Sequence, residues 1–401
     1  MRTSEFVALT ALITSITALA IDTILPALPF MGADLGVTDP NMLQFIIGAQ
    51  FLGFAMMQII YGPVSDSIGR KPTIVIGLGI FLIGTMIAGL ATSFEVHLTG
   101  RFIQGVGCAG LRAVSTAIIR DKYEGPEMAR ITSIIMAIFI IVPVLAPAAG
   151  QVVLKLSSWR GIFVGFGVLA SIAVAWFMIR QEETLRAEYK RPFSMRRSGV
   201  AFLEVLHHRQ SVGLMFASGI MFGAFLVFLI TSQQTFADIY NITEMFPYYF
   251  SLAALSMGIS SLLNAKLVKH FDLIRLIRIG LACQIALSVA FVSWDQLNTG
   301  HASLWLFMGW LIFTLFCMGP MLSNFQALIM QPLGHLAGTA ASVVGTIMAL
   351  LSLSVGSIIA QTYNQSLLPL TGGFAVLGLI ALGIVHISVK TKISKGIRQP
   401  S

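Results

Sequence analysis

The sequence is poor in charge. Asp, Glu, Lys and Arg make up 10% of its 401 residues, whereas soluble domains have about 25%. Apolar residues make up 56%. This composition excludes an ordinary soluble protein and indicates a chain that crosses a lipid bilayer many times. A net charge of +8 could indicate a nucleic-acid partner. The basic residues, however, lie between apolar runs and not on one polar face, so we expect no such partner.

Cysteine is scarce, and several catalytic motifs are missing. Cys108, Cys283 and Cys317 lie within apolar segments, and their number and spacing predict neither a disulfide framework nor a metal site. The sequence has no Walker A motif, so this chain is not expected to hydrolyse ATP. It also lacks the His-Glu-x-x-His motif and the pair of buried aspartates that intramembrane hydrolases use. We therefore expect no cofactor and no catalytic site.

The apolar runs predict an all-α membrane protein with twelve transmembrane helices in two bundles of six. A helix needs about 20 apolar residues to cross a bilayer. Such runs lie near residues 6–30, 42–61, 72–93, 98–118, 131–154, 161–179, 211–234, 246–265, 279–294, 302–325, 337–360 and 370–389. The charged segment 181–210 is interpreted as a linker between an N-terminal bundle, 1–180, and a C-terminal bundle, 211–390, which is followed by a tail, 391–401.

Basic residues are distributed unevenly over the loops. If the N-terminus lies in the cytoplasm, 21 Lys and Arg residues fall in cytoplasmic segments, and only Lys155 and Arg160 fall in outer loops. Cytoplasmic loops are rich in Lys and Arg. The asymmetry therefore predicts a multi-pass membrane protein with both termini, the linker and the tail in the cytoplasm.

Asp22 is the only acidic residue well inside a predicted span. A charge at that depth is costly unless it is paired, hydrated or neutralised by a proton. We therefore expect Asp22 to carry protons, since burial favours the neutral acid and a nearby arginine favours the carboxylate. The alternative is a structural aspartate at a helix break before Pro26 and Pro29.

Two arginines lie within the predicted fourth span. Arg101 and Arg112 are eleven residues apart, which places them about 20° from the same helix face and roughly 16 Å apart along the axis. Other polar side chains follow this face, namely Gln104, Cys108 and Ser115. The stripe is predicted to face protein or a substrate cavity and not lipid. Alternatively, Arg101 extends to the outer surface and Arg112 makes only a helix–helix hydrogen bond.

Glycine and proline mark close contacts and bends. The run Gly-Val-Gly-Cys-Ala-Gly at 105–110 matches a dinucleotide-binding pattern, but it lies in the middle of a predicted helix. Close helix packing is therefore the better interpretation. In the fifth span, Pro143, Pro147 and Gly150 interrupt the backbone hydrogen bonds and predict a bend in a moving helix.

Several motifs carry a family resemblance. The loop at 62–71, Gly-Pro-Val-Ser-Asp-Ser-Ile-Gly-Arg-Lys, resembles motif A of the major facilitator superfamily, G-x-x-x-D-x-x-G-R-[RK]. Residues 98–107, Leu-x-x-Arg-x-x-Gln-Gly-x-Gly, resemble motif B, and residues 22–29 are similar to the first-helix motif of drug:proton antiporters. With Ile-Ile-Arg-Asp at 118–121 and Trp-Arg at 159–160, the chain resembles the bicyclomycin/chloramphenicol-resistance (Bcr/CflA) branch.

The resemblance implies two bundles that rock around a central site lined by helices 1, 4, 7 and 10, with the proton gradient as energy source. It implies that Asp22 and Arg101 couple protons to transport. It also implies that motif A forms a conformational latch of the outward-facing state, in which Asp66 pairs with basic groups that include Arg120. The latch residues would be Gly62, Asp66, Gly69, Arg70, Lys71 and Arg120.

The sequence departs from the antiporter pattern at motif C. That motif, G-P-x-x-G-G, reads Ala-Pro-Ala-Ala-Gly-Gln at 146–151, which leaves the direction of proton movement open. In the presumed cavity, Arg112 would repel cationic compounds and favour neutral or anionic cargo. The leading hypothesis is proton-coupled efflux of small drug-like molecules by a monomer whose partners are substrate, protons and lipid. Export of an anionic metabolite such as a siderophore, or proton symport, is the alternative, and an intramembrane enzyme or a channel is disfavoured.

Overall fold

The structure, a computed structural model, describes residues 1–190, 192, 195–298 and 302–389. These residues form α-helices, short 3-10 turns and connecting loops, without a β-strand. Twelve helical segments are long and apolar enough to cross a membrane. The predicted all-α architecture with twelve spans is therefore confirmed. The predicted tail, 391–401, lies outside the described residues.

The N-terminal half contributes six spans. The first consists of α1 (Thr3–Asp22), a 3-10 turn (Leu25–Ala27) and α2 (Leu28–Asp34). The other five spans are α3 (Gln44–Ile68), which is preceded by a 3-10 turn (Pro40–Leu43), α4 (Arg70–Leu90), α5 (Phe94–Lys122), α6 (Gly125–Leu156) and α7 (Trp159–Arg180).

The segment between the halves contains a 3-10 turn (Ala187–Tyr189) and the short helix α8 (Met195–His207). The C-terminal half then contributes the other six spans, which are α9 (Arg209–Tyr240), α10 (Phe246–Leu267), α11 (Leu273–Leu297), α12 (Leu304–Met330), α13 (Ala337–Ala360) and α14 (Leu368–Val389). A 3-10 turn (Gln331–Leu336) connects α12 to α13 and lies between the predicted runs 302–325 and 337–360.

Several spans extend beyond their apolar runs, and the first and ninth spans show two different departures from the prediction. The first is not continuous, because Pro26 and Pro29 cannot donate backbone hydrogen bonds and the chain turns between α1 and α2. The ninth begins at Leu273 and not near 279, so Arg278 is part of helix α11 and not of a loop. The apolar run alone placed this boundary too late, since arginines at a helix end interrupt the run without ending the helix.

The spans alternate in direction and define two faces of the protein. We call the terminal face the one that carries residues 1–2, the turn at Gly69, the linker and Val389. The distal face carries the connections at 35–43, 91–93 and 361–367. The halves meet where α3 packs along α13 and α6 packs along α10.

Glycines allow the closest helix contacts in the N-terminal half. Gly105 of α5 lies against the carbonyl of Gln50 in α3, and Gly107 lies against the backbone of Gly77 and Phe81 in α4. Any side chain at Gly105 or Gly107 would overlap these backbone atoms. The glycine run at 105–110 is thus a helix-packing surface, as expected for small residues in membrane helices.

Candidate functional site

Asp22 is the last residue of α1, at the break in the first span. Its side chain is 4% exposed, and its carboxylate forms no hydrogen bond or ion pair with any residue that the structure describes. A helix C-terminus carries partial negative charge, so this position gives a carboxylate no support from the backbone. The helix break that the structural alternative predicts is present. Asp22, however, caps neither the 3-10 turn nor α2, the two elements that follow it.

Arg101 of α5 is fully buried and bonds to two neighbouring helices. Its guanidinium donates to the carbonyl of Ala20 in α1 at 2.9 Å and to the carbonyl of Ile46 in α3 at 3.3 Å. It also donates to the side-chain oxygen of Gln104 at 2.6 Å. All three acceptors are neutral. Arg101 therefore holds α1, α3 and α5 together beside Asp22 without pairing with its carboxylate, and it does not extend to the outer surface.

The other residues of the predicted stripe have different environments. Gln104 is buried and donates to the hydroxyl of Thr85 in α4 at 2.8 Å. Cys108 is buried against Gln50 of α3, with 4.0 Å between the sulfur and the amide nitrogen, and Ser115 is 2% exposed. In this conformation these three residues lie in helix contacts and do not line an open cavity.

Arg112 differs from its neighbours on the stripe because it is exposed. The centre of its guanidinium lies 5.8 Å from the centroid of the Phe139 ring in α6, a cation–π distance. Arg112 forms no ion pair within the described part of the chain. The position leaves an uncompensated cation between α5 and α6, nearly three helical turns before the end of α5.

Helix α6 packs against the break in the first span. Gly150 lies directly against the carbonyl of Thr23 and the ring of Pro26, so a side chain at this position would clash. Pro143 and Pro147 lie within α6, which continues through both of them. The carbonyl of Val144 accepts a hydrogen bond from Ser251 in α10. The three predicted bend residues therefore lie where α6 contacts both the Asp22 break and the other half.

Motif A forms a charged cluster on the terminal face. The guanidinium of Arg70 forms ion pairs with the carboxylates of Asp66 and Asp121, and the distance to Asp121 is 2.9 Å. It also donates to the hydroxyl of Ser65 at 2.6 Å. Asp66 is therefore paired with Arg70 and not with Arg120. Arg120 is exposed and forms no ion pair among the described residues. The difference arises because Arg70 begins α4 and is 4% exposed, so its side chain reaches both acids from inside the cluster.

Glu183, in the predicted linker, completes this cluster. Its carboxylate accepts hydrogen bonds from the backbone nitrogens of Arg70, at 3.0 Å, and Lys71, at 3.2 Å, and so caps the start of α4. Gly69 adopts φ +113°, and a side chain there would overlap the Glu183 carboxylate. The ammonium of Lys71 donates to the carbonyl of Met178 at 2.8 Å. The first residues of the linker are therefore part of the N-terminal half, which sequence analysis did not predict.

Motif A also touches the other half through Gly62. The α-carbon of Gly62 faces Ser342 of α13 so closely that an added Cβ would lie 3.0 Å from the serine oxygen. Of the predicted latch residues, five thus lie in one connected region at the terminal end of α3 and the start of α4, and Arg120 lies outside it.

On the distal face, neutral amide side chains close the contact between the halves. Gln44 of α3 donates to the side-chain oxygen of Gln234 in α9 at 3.0 Å and to the carbonyl of Ala360 at 3.1 Å. Gln361 donates to the side-chain oxygen of Gln44 and to the carbonyl of Asn41, both at 3.0 Å. We call Asn41, Gln44, Gln234 and Gln361 the amide cluster. Sequence analysis did not identify it, since isolated amides carry no motif.

Two further contacts border the amide cluster. Asn41 donates to the carbonyl of Tyr363 at 3.0 Å, and the hydroxyl of Tyr363 lies 3.3 Å from the Asp238 carboxylate. Burial and the nearby Asp238 raise the pKa of the Tyr363 hydroxyl, so Tyr363 remains a neutral donor. Lys155 pairs with Glu244 across the halves at 3.2 Å, with both side chains largely exposed. The distal face is therefore closed in this conformation.

No group of three or more His, Cys, Asp or Glu residues in the described ranges is arranged to hold a metal ion. The chemistry available at the site is therefore that of a buried acid, two arginines and the surfaces that move around them. Such a set can carry a proton and select a ligand by charge, provided that the two halves move relative to each other.

Comparisons with known proteins identify relatives of the whole chain and of its fold. The "Bicyclomycin resistance protein homolog" of Haemophilus influenzae is 26% identical over 388 residues, which cover 94% of each chain. "Multidrug resistance protein MdtL" of Salmonella typhimurium is 27% identical over 246 residues, 61% of this chain and 60% of its own. The xylose transporter XylE from E. coli has the same fold, with a TM-score of 0.74 at 13% identity over 98% of this chain and 99% of its own. The family model of the Major Facilitator Superfamily matches residues 10–357, and the chain belongs to that superfamily of membrane transporters.

Proposed function

We propose that this protein exports small organic molecules from the cytoplasm by alternating access and that the proton gradient drives the export. The terminal face is then cytoplasmic, the membrane is the bacterial inner membrane, and the protein acts as a monomeric transporter and not as an enzyme. The relatives named for bicyclomycin and multidrug resistance support drug-like cargo. The excess of Lys and Arg in the loops of the terminal face supports the orientation.

The observation that carries the proposal is the unpaired Asp22 beside Arg101. A carboxylate that is 4% exposed, lacks a partner and ends a helix is costly, so this conformation holds the neutral, protonated acid. Arg101 bonds to the carbonyl of Ala20, two residues earlier, and is therefore fixed to the helix that carries Asp22. In the opposite conformation we propose that Asp22 loses its proton and pairs with Arg101.

Alternating access is supported by the difference between the two faces. The amide cluster closes the distal face, and Arg112 is exposed between α5 and α6. We propose that this conformation admits cargo from the terminal face, and that release on the distal side requires the amide cluster to separate. The charged motif A cluster and the contact of Gly62 with Ser342 are already formed here, and we propose that they act as a latch when the terminal face closes.

Substrate-driven proton movement tests the proposal. Inside-out vesicles from a host without its own drug pumps are energised, and bicyclomycin and a panel of drug-like compounds are added while the internal pH is followed. An antiporter releases protons from the acidic interior when cargo enters, and Asp22→Asn abolishes this release. Asp34→Asn, which removes an acid paired with Arg160 on the distal face, serves as the matched control and retains the release.

The alternative cargo is an anionic metabolite, and one observation favours it. Arg112 is an exposed cation without an ion pair among the described residues, so it can hold a carboxylate or a phosphate. Proton symport remains the alternative for direction. In the vesicle experiment, symport moves cargo and protons in the same direction. If no compound of the panel causes proton movement and the protein confers no resistance to any of them, both antiport and symport are contradicted.

A further inference from the structure

A groove lies on the outer surface of the C-terminal half, away from the candidate site. It is formed by α11 and α14 near the terminal face and has a volume of about 500 Å³. Its apolar wall is open to the surroundings, since Leu379 is 53% and Ile387 67% exposed. The residues that line it are Arg278, Leu379, Leu382, Gly383, His386 and Ile387. In a membrane-spanning protein such a surface faces lipid.

Arg278 places a positive charge inside this groove. It lies five residues after the start of α11 at Leu273, about 7.5 Å along the helix axis. Its Nε atom is buried without a hydrogen-bond partner, and Arg278 forms no ion pair among the described residues. An arginine within a membrane helix needs an anion, water or polar groups to compensate its charge. The part of the chain that the structure describes places no anion against it.

His386 adds a second polar group at the same level. It is exposed and lies three residues before the end of α14 at Val389, so it is near the terminal face, as Arg278 is. Guanidinium groups bind phosphate through two parallel hydrogen bonds. The groove therefore combines a phosphate-binding head with an apolar wall that runs from it towards the membrane interior.

We propose that this groove binds an anionic phospholipid from the leaflet at the terminal face. The phosphate accepts hydrogen bonds from Arg278, and His386 contributes a further donor. The acyl chains lie along Leu379, Leu382 and Ile387. A free phosphate ion would contact only Arg278 and His386. A phospholipid contacts these residues with its phosphate and the apolar wall with its acyl chains. Basic pockets between membrane helices are suited to anionic headgroups. The proposal does not depend on what the protein transports or on the direction of proton movement.

Selective stabilisation by lipid tests the proposal. Purified full-length protein is delipidated in detergent, and its thermal unfolding midpoint is measured with phosphatidylglycerol or with phosphatidylcholine of identical acyl chains. Bound lipids are counted in parallel by native mass spectrometry. Wild type is expected to prefer phosphatidylglycerol, and Arg278→Gln to lose about tenfold of that preference, the size of one charge-assisted hydrogen bond. Arg275→Gln, an exposed arginine over the Phe271 ring, is the matched control and retains the preference.

Three outcomes would overturn the proposal. Wild type that binds the two lipids equally has no anionic site, and equal losses in both arginine variants indicate only an unspecific effect of charge. Stabilisation by inorganic phosphate that equals that by phosphatidylglycerol indicates an ion site and not a lipid site. If Arg278→Gln does not fold, Ile387→Glu replaces it. This exposed position then brings a negative charge next to the phosphate, and unchanged phosphatidylglycerol binding contradicts the proposal.

Discussion

The guanidinium of Arg101 donates a hydrogen bond to the carbonyl of Ala20 at 2.9 Å, two residues before the unpaired carboxyl of Asp22. The arginine thus bonds the backbone of the helix that carries the acid and leaves the acid free. The proposed coupling requires α1 to move so that the Asp22 carboxylate replaces the Ala20 carbonyl as an acceptor of Arg101. The predictions for these two residues therefore differ in kind.

Asp22→Asn should fold and insert normally but lose uphill transport. Asparagine imitates the protonated acid in shape and charge, and the wild-type carboxylate has no partner to lose, so the thermal midpoint should equal or exceed that of wild type. Cargo binding should persist, while substrate-driven proton release disappears. Thermal unfolding, ligand binding and proton release on the same preparation check this. A large loss of thermal stability would show that Asp22 is a structural residue.

Arg101→Lys should lower the free energy of unfolding by about 2–4 kcal/mol, because the single ammonium nitrogen cannot replace donors spread over the Nε, Nη1 and Nη2 atoms, and buried acceptors are left unpaired. The acceptors lie in three directions, on Ala20, Ile46 and Gln104. Chemical or thermal unfolding in detergent measures the loss. Arg112→Lys is the control and should leave stability within about 0.5 kcal/mol of wild type, since Arg112 is exposed. Equal stability of the two variants would contradict the three-helix role of Arg101.

Arg112→Gln should change the charge preference of the site while leaving the fold intact. Its guanidinium is exposed over Phe139 and has no ion pair among the described residues, so its substitution removes little from the packing of the helices. The variant should lose affinity for anionic compounds and gain tolerance for cationic ones. Binding of a matched anionic, neutral and cationic series to purified protein measures this. An equal change across all three compounds rejects a charge filter.

Glu183→Ala should expose the start of α4 without unfolding the protein. The carboxylate caps the backbone nitrogens of Arg70 and Lys71, and loss of a cap costs about 1 kcal/mol. Hydrogen exchange at the first turn of α4 should therefore accelerate about fivefold. Glu188→Ala, at an exposed linker position, is the control and should leave that exchange unchanged. Unchanged exchange in Glu183→Ala would mean that the linker contact is not formed in the membrane.

Gln44→Ala should shift the protein away from the conformation with a closed distal face. Gln44 bonds to Gln234, Ala360 and Gln361, and each lost hydrogen bond removes about 0.5–1.5 kcal/mol from the closed state. Spin-label distances across the distal face should lengthen or broaden. Gln326→Ala, an exposed amide of α12 outside the amide cluster, is the control. If both variants give the wild-type distance distribution, the amide cluster does not hold the face closed.

Much of the fold follows from local sequence. Twelve runs of apolar residues predict twelve spans because a bilayer imposes one length on every helix. Pro26 and Pro29 predict the break after Asp22 for an equally local reason, since neither has a backbone donor. The start of α11 could not be predicted in the same way, because Arg278 lies inside the helix and the apolar run begins after it.

The site itself depends on contacts that local sequence does not encode. Glu183 caps a helix that begins 113 residues earlier, and Asn41 and Gln361 meet across 320 positions of the chain. Charge and depth predict that Asp22 and Arg101 matter, yet they do not tell which acceptors Arg101 selects. Asp66 pairs with Arg70, although Arg120 is expected as a partner. Only the packed cluster shows which of the two arginines is buried beside Asp66.

The amide cluster carries no net charge, and this determines which forces can open it. Membrane voltage and ionic strength change the energies of net charges. They therefore have little direct effect on the hydrogen bonds of Asn41, Gln44, Gln234 and Gln361. When the distal face opens, water can take the place of each broken amide bond, and the net cost of each exchange is small. The amide contact is therefore a hydration equilibrium, and it responds to solutes that compete for amide hydrogen bonds, such as urea. Salt acts instead on the exposed Lys155–Glu244 pair, which also joins the halves on this face.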